Sequence, residues 1–137
     1  MGNISNLKRQ HLEIQQVVNQ IEDLIKQNNL EDKAAQIAQN ISILAGKLRI
    51  HLDTEDKFLY PDLLKDDRSN LRKMAKEYSE EMGHISEVFM NYKNNFNTKS
   101  KIIKNMEGFK SETALVFKVL AKRISKEDNE LYPLIDK

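Results

Sequence analysis

Cysteine is absent from this chain of 137 residues, and glycine and proline are scarce, with four and two copies. The absence of cysteine excludes disulfides, thiolate metal sites, iron–sulfur clusters and cysteine nucleophiles. Because glycine and proline interrupt helices, their scarcity favours long, uninterrupted helices. The composition therefore predicts a helical protein whose chemistry depends on side chains other than thiols.

A charge excess and long apolar runs are also lacking. The 22 Lys and Arg residues nearly balance the 21 Asp and Glu residues, with a formal charge of +1, whereas nucleic-acid binders carry a strong basic excess. No apolar run reaches the length of about 18 residues that a membrane-spanning helix needs. The N-terminal segment MGNISNLKRQ lacks the apolar core of a secretory signal. We therefore expect one cytoplasmic all-α domain over residues 1–137, with neither nucleic acid nor membrane as a partner; no protein partner is indicated.

Three short polar segments divide the chain into four stretches. Segments rich in Asn, Asp and Ser commonly end one helix and cap the next, and here they are Gln27–Asn29, Lys65–Ser69 and Asn94–Thr98. Between them, apolar residues recur at steps of three and four, which indicates amphipathic helices. Four helices with one apolar stripe each predict an antiparallel up-down four-helix bundle. The predicted stripes run from Ile4 to Ile25, Ile37 to Phe58, Leu71 to Tyr92 and Met106 to Leu131.

Ionisable residues interrupt these stripes on every predicted helix. They are His11 on the first helix, His51 and Glu55 on the second, His84 beside the stripe of the third, and Arg123 and Glu127 on the fourth. Burying such a group without a partner costs several kcal/mol, so a cation in the bundle core would be a suitable shared partner.

The up-down topology predicts that residues at one height lie equally far from the turn between their helices. The midpoint of His11 and His51 falls beside the first polar segment, and that of His51 and His84 falls within the second. The midpoint of His84 and Arg123 falls several residues beyond the third segment. Either the third helix is longer than drawn, or the last connection holds extra residues.

A repeated phrase closes the second and fourth helices. Residues 51–61 align without gaps on residues 123–133, sharing Glu-Asp-x-x-Leu-Tyr-Pro with a His or Arg four positions before the Glu. Residues four apart lie on one helical face, so His51 and Glu55 are aimed at the same spot. Two such phrases would supply two carboxylates, enough to bridge two metal ions. We expect the proline of each phrase to end its helix.

These residues together resemble the hemerythrin-like (HHE cation-binding) domain, from about residue 5 to residue 135. All three histidines of the chain fall at family ligand positions in the family order. The resemblance implies a non-haem di-iron site with open positions for water, hydroxide or O2. It implies His11 and His51 on one iron, His84 and a fourth-helix histidine on the other, Glu55 and Glu127 as bridges, and Asp56 and Asp128 as outer hydrogen-bond acceptors.

Arg123 departs from this pattern, because it stands where the family has a ligand histidine. A guanidinium is permanently charged and has no lone pair to donate, so it cannot be a ligand. Three outcomes are open. The second iron binds His84 with Glu80 or Glu81 as a substitute ligand, or a single metal binds His11, His51, Glu55 and Glu127, or Arg123 satisfies the carboxylates and no metal binds.

The function implied by the resemblance is an iron-binding protein that binds or senses O2 or NO. No phosphate loop, nucleophile motif or substrate pocket is visible, so any turnover would be iron-dependent redox chemistry. The alternative is a metal-depleted bundle for protein interaction or signalling, in which Arg123 replaces the ligand. A phosphotransfer module is disfavoured, because none of the three histidines is followed by Lys-Gly three positions on.

Overall fold

Long helices dominate the chain, as the scarcity of glycine and proline predicts. The computed structural model describes residues 3–27 and 29–135, without the side chain of Asn3; Asn28, in the first predicted break, lies outside the described residues. The helices are α1 (Asn3–Lys26), α2 (Leu30–Thr54), α3 (Tyr60–Leu63), α4 (Ser69–Phe96), α5 (Lys99–Lys104), α6 (Met106–Lys126) and α7 (Tyr132–Ile135), with π-helical turns π1 (Glu55–Leu59) and π2 (Glu127–Leu131).

The four long helices form the predicted all-α bundle. Helix α1 packs against α2, α2 against α4, and α4 against α6, while α6 also contacts α1. Each buries its apolar stripe in the centre, so the prediction of fold class is confirmed. No described helix is long and apolar enough to cross a membrane.

The apolar core consists of two clusters. The larger includes Ile14 of α1, Leu48 of α2 and Leu120 of α6, and the smaller includes Leu7 of α1 and Leu131 of π2. Between them along the helices lies a layer of buried polar side chains: His11, His51, Glu55, Arg123 and Glu127. The fold therefore surrounds one polar layer with apolar side chains above and below.

The two prolines do not end their helices, contrary to the prediction. The helical backbone continues past Pro61 to Leu63, and past Pro133 to Ile135. In the interior of an α-helix, a proline ring clashes with the carbonyl four residues earlier. Here each proline follows a π turn, in which the amide of Tyr60 or Tyr132 bonds to the carbonyl five residues back. The wider turn accommodates the ring, and such turns are frequent at functional sites.

Two residues of the predicted stripes lie outside the core. Phe58 is 56% exposed, because the extra residue in π1 shifts the buried face onto Leu59 and Tyr60. Met106 is 37% exposed at the first turn of α6.

The last connection contains an extra short helix. Helix α4 ends at Phe96, and α5 follows before α6 begins. The side chain of Thr98 caps α5 and that of Asn105 caps α6, each accepting a backbone N–H bond. This insertion explains why the midpoint of His84 and Arg123 falls beyond the third polar segment.

Replacing Gly46 or Gly83 with alanine should stabilise the fold. Both lie inside long helices, and an added Cβ atom would meet no atom within 4 Å apart from the adjacent residues and the backbone of its own helix. Each substitution should raise the free energy of unfolding by about 1 kcal/mol, the difference in helix propensity, measured by urea denaturation. Gly108→Ala is the control, because its Cβ would overlap the capping amide of Asn105. An equal gain at all three positions would contradict this account.

Candidate metal centre

Three side chains from three helical segments converge in the polar layer. His11 Nε2 lies 3.0 Å from His51 Nε2 and 2.9 Å from Glu127 Oε1. His51 Nε2 lies 3.5 Å from the same carboxylate oxygen. All three side chains are buried, and their ligand atoms lie within 4.8 Å of one another. This spacing is suited to binding one metal ion.

Glu55 places a second carboxylate oxygen beside this cluster. Its Oε1 atom lies 3.5 Å from His51 Nε2 and has no hydrogen-bond partner among the described residues. The residue is completely buried. A buried polar atom without a hydrogen-bond partner is unusual in a folded protein. A bound cation would be a suitable partner for this oxygen.

Outer hydrogen bonds fix the orientation of both imidazoles. His11 Nδ1 lies 2.8 Å from Asp128 Oδ1, and His51 Nδ1 lies 2.8 Å from Gln10 Oε1. Because each of these oxygens accepts, each Nδ1 donates, and both Nε2 atoms point into the cluster. Metal-binding histidines are commonly held by such a bond. Asp128 therefore lies where the outer acceptor was predicted, and Gln10 was missed.

Two tyrosines hold the carboxylates in a crossed arrangement. The hydroxyl of Tyr60, which follows Glu55 in the chain, donates to Glu127 Oε2 at 2.9 Å. The hydroxyl of Tyr132, which follows Glu127, donates to Glu55 Oε2 at 2.8 Å. This role of the two tyrosines was not among the predictions from the sequence. The signal was the tyrosine five residues after the glutamate in both copies of the repeat.

Ionisation in the cluster is set by burial and by the mutual proximity of these groups. Burial alone would lower the pKa of His11, but Glu127 and Asp128 outweigh it and leave that pKa raised. Burial lowers the pKa of His51. Burial, with the nearby charge of Glu127, raises the pKa of Glu55 well above its usual value. Glu127 is the reverse case: bonds from His11 and His51 overcome the effect of burial and hold its pKa well below the usual value.

Arg123 occupies the side of the cluster that faces α4. Its Nη2 atom donates to the carbonyl of Tyr78 at 2.6 Å and to the hydroxyl of Tyr60 at 3.2 Å. Its Nη1 atom donates to Glu81 at 3.3 Å, and its Nε lies 3.9 Å from Glu127 Oε2. The guanidinium also stacks 4.2 Å from the centre of the Tyr78 ring. Arg123 is only 2% exposed, so it is a fixed internal cation.

The remaining predicted ligands do not join the cluster. His84 and Glu80 are exposed, and Glu81 pairs at the surface with Arg123 and Lys126. Arg123 lies between this face of α4 and the carboxylates, because it bonds to the α4 backbone at Tyr78 and its Nε atom lies 3.9 Å from Glu127 Oε2. Asp56 is exposed, and no described residue forms a hydrogen bond with it.

The donor set fits one metal ion and does not fit two. The Nε2 atoms of His11 and His51 and the Oε1 atom of Glu127 face a common centre. Glu55 Oε1 lies beside this centre, 3.5 Å from His51 Nε2. Imidazole nitrogen with carboxylate oxygen suits iron and other first-row metals. The second oxygen of each glutamate is already held by a tyrosine hydroxyl. Where a second ion would need a histidine, the guanidinium of Arg123 stands instead.

Fold and site together define a four-helix bundle with a candidate metal centre in its core. The family model for the hemerythrin HHE cation binding domain matches residues 2–135. The chain therefore belongs to the hemerythrin HHE cation-binding domain family. No curated protein and no solved structure matches it significantly.

Proposed function

We propose that this protein binds a single iron ion in the bundle core and uses it to bind or sense O2 or NO. The observation that carries the proposal is the convergence of His11 Nε2, His51 Nε2 and Glu127 Oε1, with the unpartnered Glu55 Oε1 beside them. Family membership supports a cation, and imidazole with carboxylate suits iron. When bound, a ferrous ion with an open coordination position supplies reversible binding of a diatomic gas.

The protein's own residues prepare this centre. Asp128 and Gln10 hold the imidazoles in the tautomer whose Nε2 is available to the metal. Tyr60 holds Glu127 Oε2 and Tyr132 holds Glu55 Oε2, and the Tyr132 hydroxyl also lies 3.4 Å from Glu127 Oε1. The Oε1 atom of each glutamate lies within 3.5 Å of an imidazole Nε2 atom. Because a ligating histidine must be neutral, the raised pKa of His11 means that a cation competes with a proton for this side chain.

Two further features favour gas binding over hydrolytic chemistry. His11, His51, Glu55, Arg123 and Glu127 are each at most 2% exposed between the two apolar clusters, so the side chains of the layer have little contact with water. The described cluster offers no nucleophile apart from its metal ligands, so the supported role is binding or sensing, and any turnover would be iron-dependent redox chemistry.

The position of Arg123 favours a site for one iron ion, and not for the two iron ions that the resemblance implies. It places a permanent positive charge 3.9 Å from the second oxygen of Glu127, which a second iron would have to share. We propose that Arg123 substitutes electrostatically for the second metal. Independently of Arg123, we propose that the protein works as one domain, in the cytoplasm, without nucleic acid.

Metal content decides this proposal. The protein, purified anaerobically after iron-replete expression, should contain about one iron per chain, with optical changes on exposure to O2 or NO. The Arg123→His variant should still bind one iron. His84 is exposed, so the new histidine at position 123 would have no second histidine beside it to hold another iron.

Three results would count against the proposal. Two irons in the natural protein would restore the di-iron site. A folded protein without iron would favour the alternative, a metal-free bundle that serves protein interaction or signalling. Bound iron that is indifferent to both gases would refute the gas-binding role.

A further inference from the structure

A large cleft lies between α2 and α4, on the side of the bundle next to the metal centre. Its volume is about 820 Å³, within the range of roughly 300–1,000 Å³ found for small-molecule sites. A diatomic gas needs far less room. The cleft therefore has the size of an organic ligand.

Small residues on both helices create this cleft. Gly46 of α2 and Gly83 of α4 line it, and a Cβ atom at either position would meet nothing within 4 Å. Leu48, Leu52 and Phe89 form apolar parts of its wall. The lining runs along α2 from Ser42 and along α4 from Ser79, and it combines these apolar side chains with serines.

The inner end of the cleft reaches the metal centre. Glu55 and Tyr60 line this end, and both belong to the buried polar layer. Glu55 carries the buried oxygen that has no partner among the described residues. A molecule in the cleft would thus end one side chain away from the proposed iron.

Charges are distributed unevenly along the cleft. Asp53 and Asp56 line it near Glu55, whereas Arg49 and Lys93 line it farther away. At 1.5 Å of rise per residue, Arg49 lies about 9 Å along α2 from Glu55. Lys93 lies about 16 Å along α4 from Met82, which lines the cleft beside the polar layer. Neither cation forms an ion pair or hydrogen bond with any described residue.

We propose that this cleft binds a linear amphipathic monoanion, with its anionic head at Arg49 and Lys93 and its apolar chain directed toward the metal centre. The two cations attract the head, and Asp53 with Asp56 repels it from the inner end. The apolar chain covers the apolar part of the cleft wall, and burying both apolar surfaces from water favours binding. Binding requires no metal, so it is independent of the proposed iron chemistry.

Decanoate is the probe for the first test, below its micelle concentration and with metal-free protein. Titration calorimetry should give one site per chain. Decyltrimethylammonium, with a similar chain and opposite charge, should bind at least about tenfold more weakly. Equal affinity for both probes, or no binding of decanoate, would overturn the proposal.

Variants locate the site. Gly83→Leu places a side chain in the cleft, starting from a Cβ position that has open space around it, and should abolish decanoate binding. Gly46→Leu is the second filling variant if the first folds poorly. The double variant R49Q/K93Q should weaken binding about tenfold. Lys122→Gln is the charge control, because Lys122 lines the separate groove between α4 and α6. Binding that survives both leucine variants, or that falls as much with Lys122→Gln, would refute the assignment.

Discussion

Replacing His11 or His51 with glutamine should lower the affinity for ferrous iron at least about a hundredfold. Substituting a residue that only orients a ligand typically costs 10- to 100-fold in metal affinity, so loss of the ligand itself should cost more. Glutamine keeps a polar side chain of similar reach, which limits the disturbance of the fold. Affinity would be measured by anaerobic competition with a chelator, and folding by circular dichroism.

His84→Gln is the matched control for these variants. His84 is the remaining histidine of the chain and lies on the exposed face of α4. Its replacement should leave both iron affinity and iron content unchanged. Should His84→Gln lose iron as readily as His11→Gln, α4 would have to turn inward on metal binding, and the single-ion site would be wrong.

Replacing Arg123 with methionine should lower the free energy of unfolding of the metal-free protein by about 3–5 kcal/mol. Removing one partner of a buried charge pair leaves the other charge without compensation. Here the guanidinium lies 3.9 Å from Glu127 and also bonds to Tyr60 and to the Tyr78 carbonyl. Methionine fills most of the volume, so the loss reports the missing charge and hydrogen bonds. Urea denaturation measures it.

Arg49→Met is the control for this second experiment. Arg49 is exposed and has no ion pair with the described residues, so its replacement should change stability by no more than about 0.5 kcal/mol. A loss below about 1 kcal/mol for Arg123→Met would show that the cluster does not depend on this cation. Arg123 would then no longer explain the absence of a second metal position.

These predictions rest on a polar layer whose five members stood out in the sequence, together with His84, which lies outside the layer. Ionisable residues that interrupt an apolar stripe at helical spacing contrast with their neighbours. This contrast made five residues visible in the sequence: His11, His51, Glu55, Arg123 and Glu127. All five are buried at one level of the bundle. The roles of the histidines and glutamates as metal ligands remain a proposal. The geometry of the cluster favours one metal ion.

Contacts between distant residues had no periodic signal in the sequence. Gln10 bonds to His51 across two helices, and Tyr60 bonds to Glu127 at the opposite end of the chain. Such partners depend on how helices rotate against one another, which spacing along one helix does not reveal. The exposure of His84 also depends on helix rotation. A residue at the edge of an apolar stripe can face the core or the solvent, and the sequence alone does not distinguish the two.

The sequence by itself determined the helical class, the bundle and the level of the polar layer. Apolar periodicity and scarce helix breakers dictate these features locally. Only the tertiary structure decided that the helices continue past the prolines after π turns, that tyrosines cross between the repeats, and that Arg123 bonds to the α4 backbone beside Glu127. Each of these depends on the shape and charge of the space between helices, which exists only after they pack.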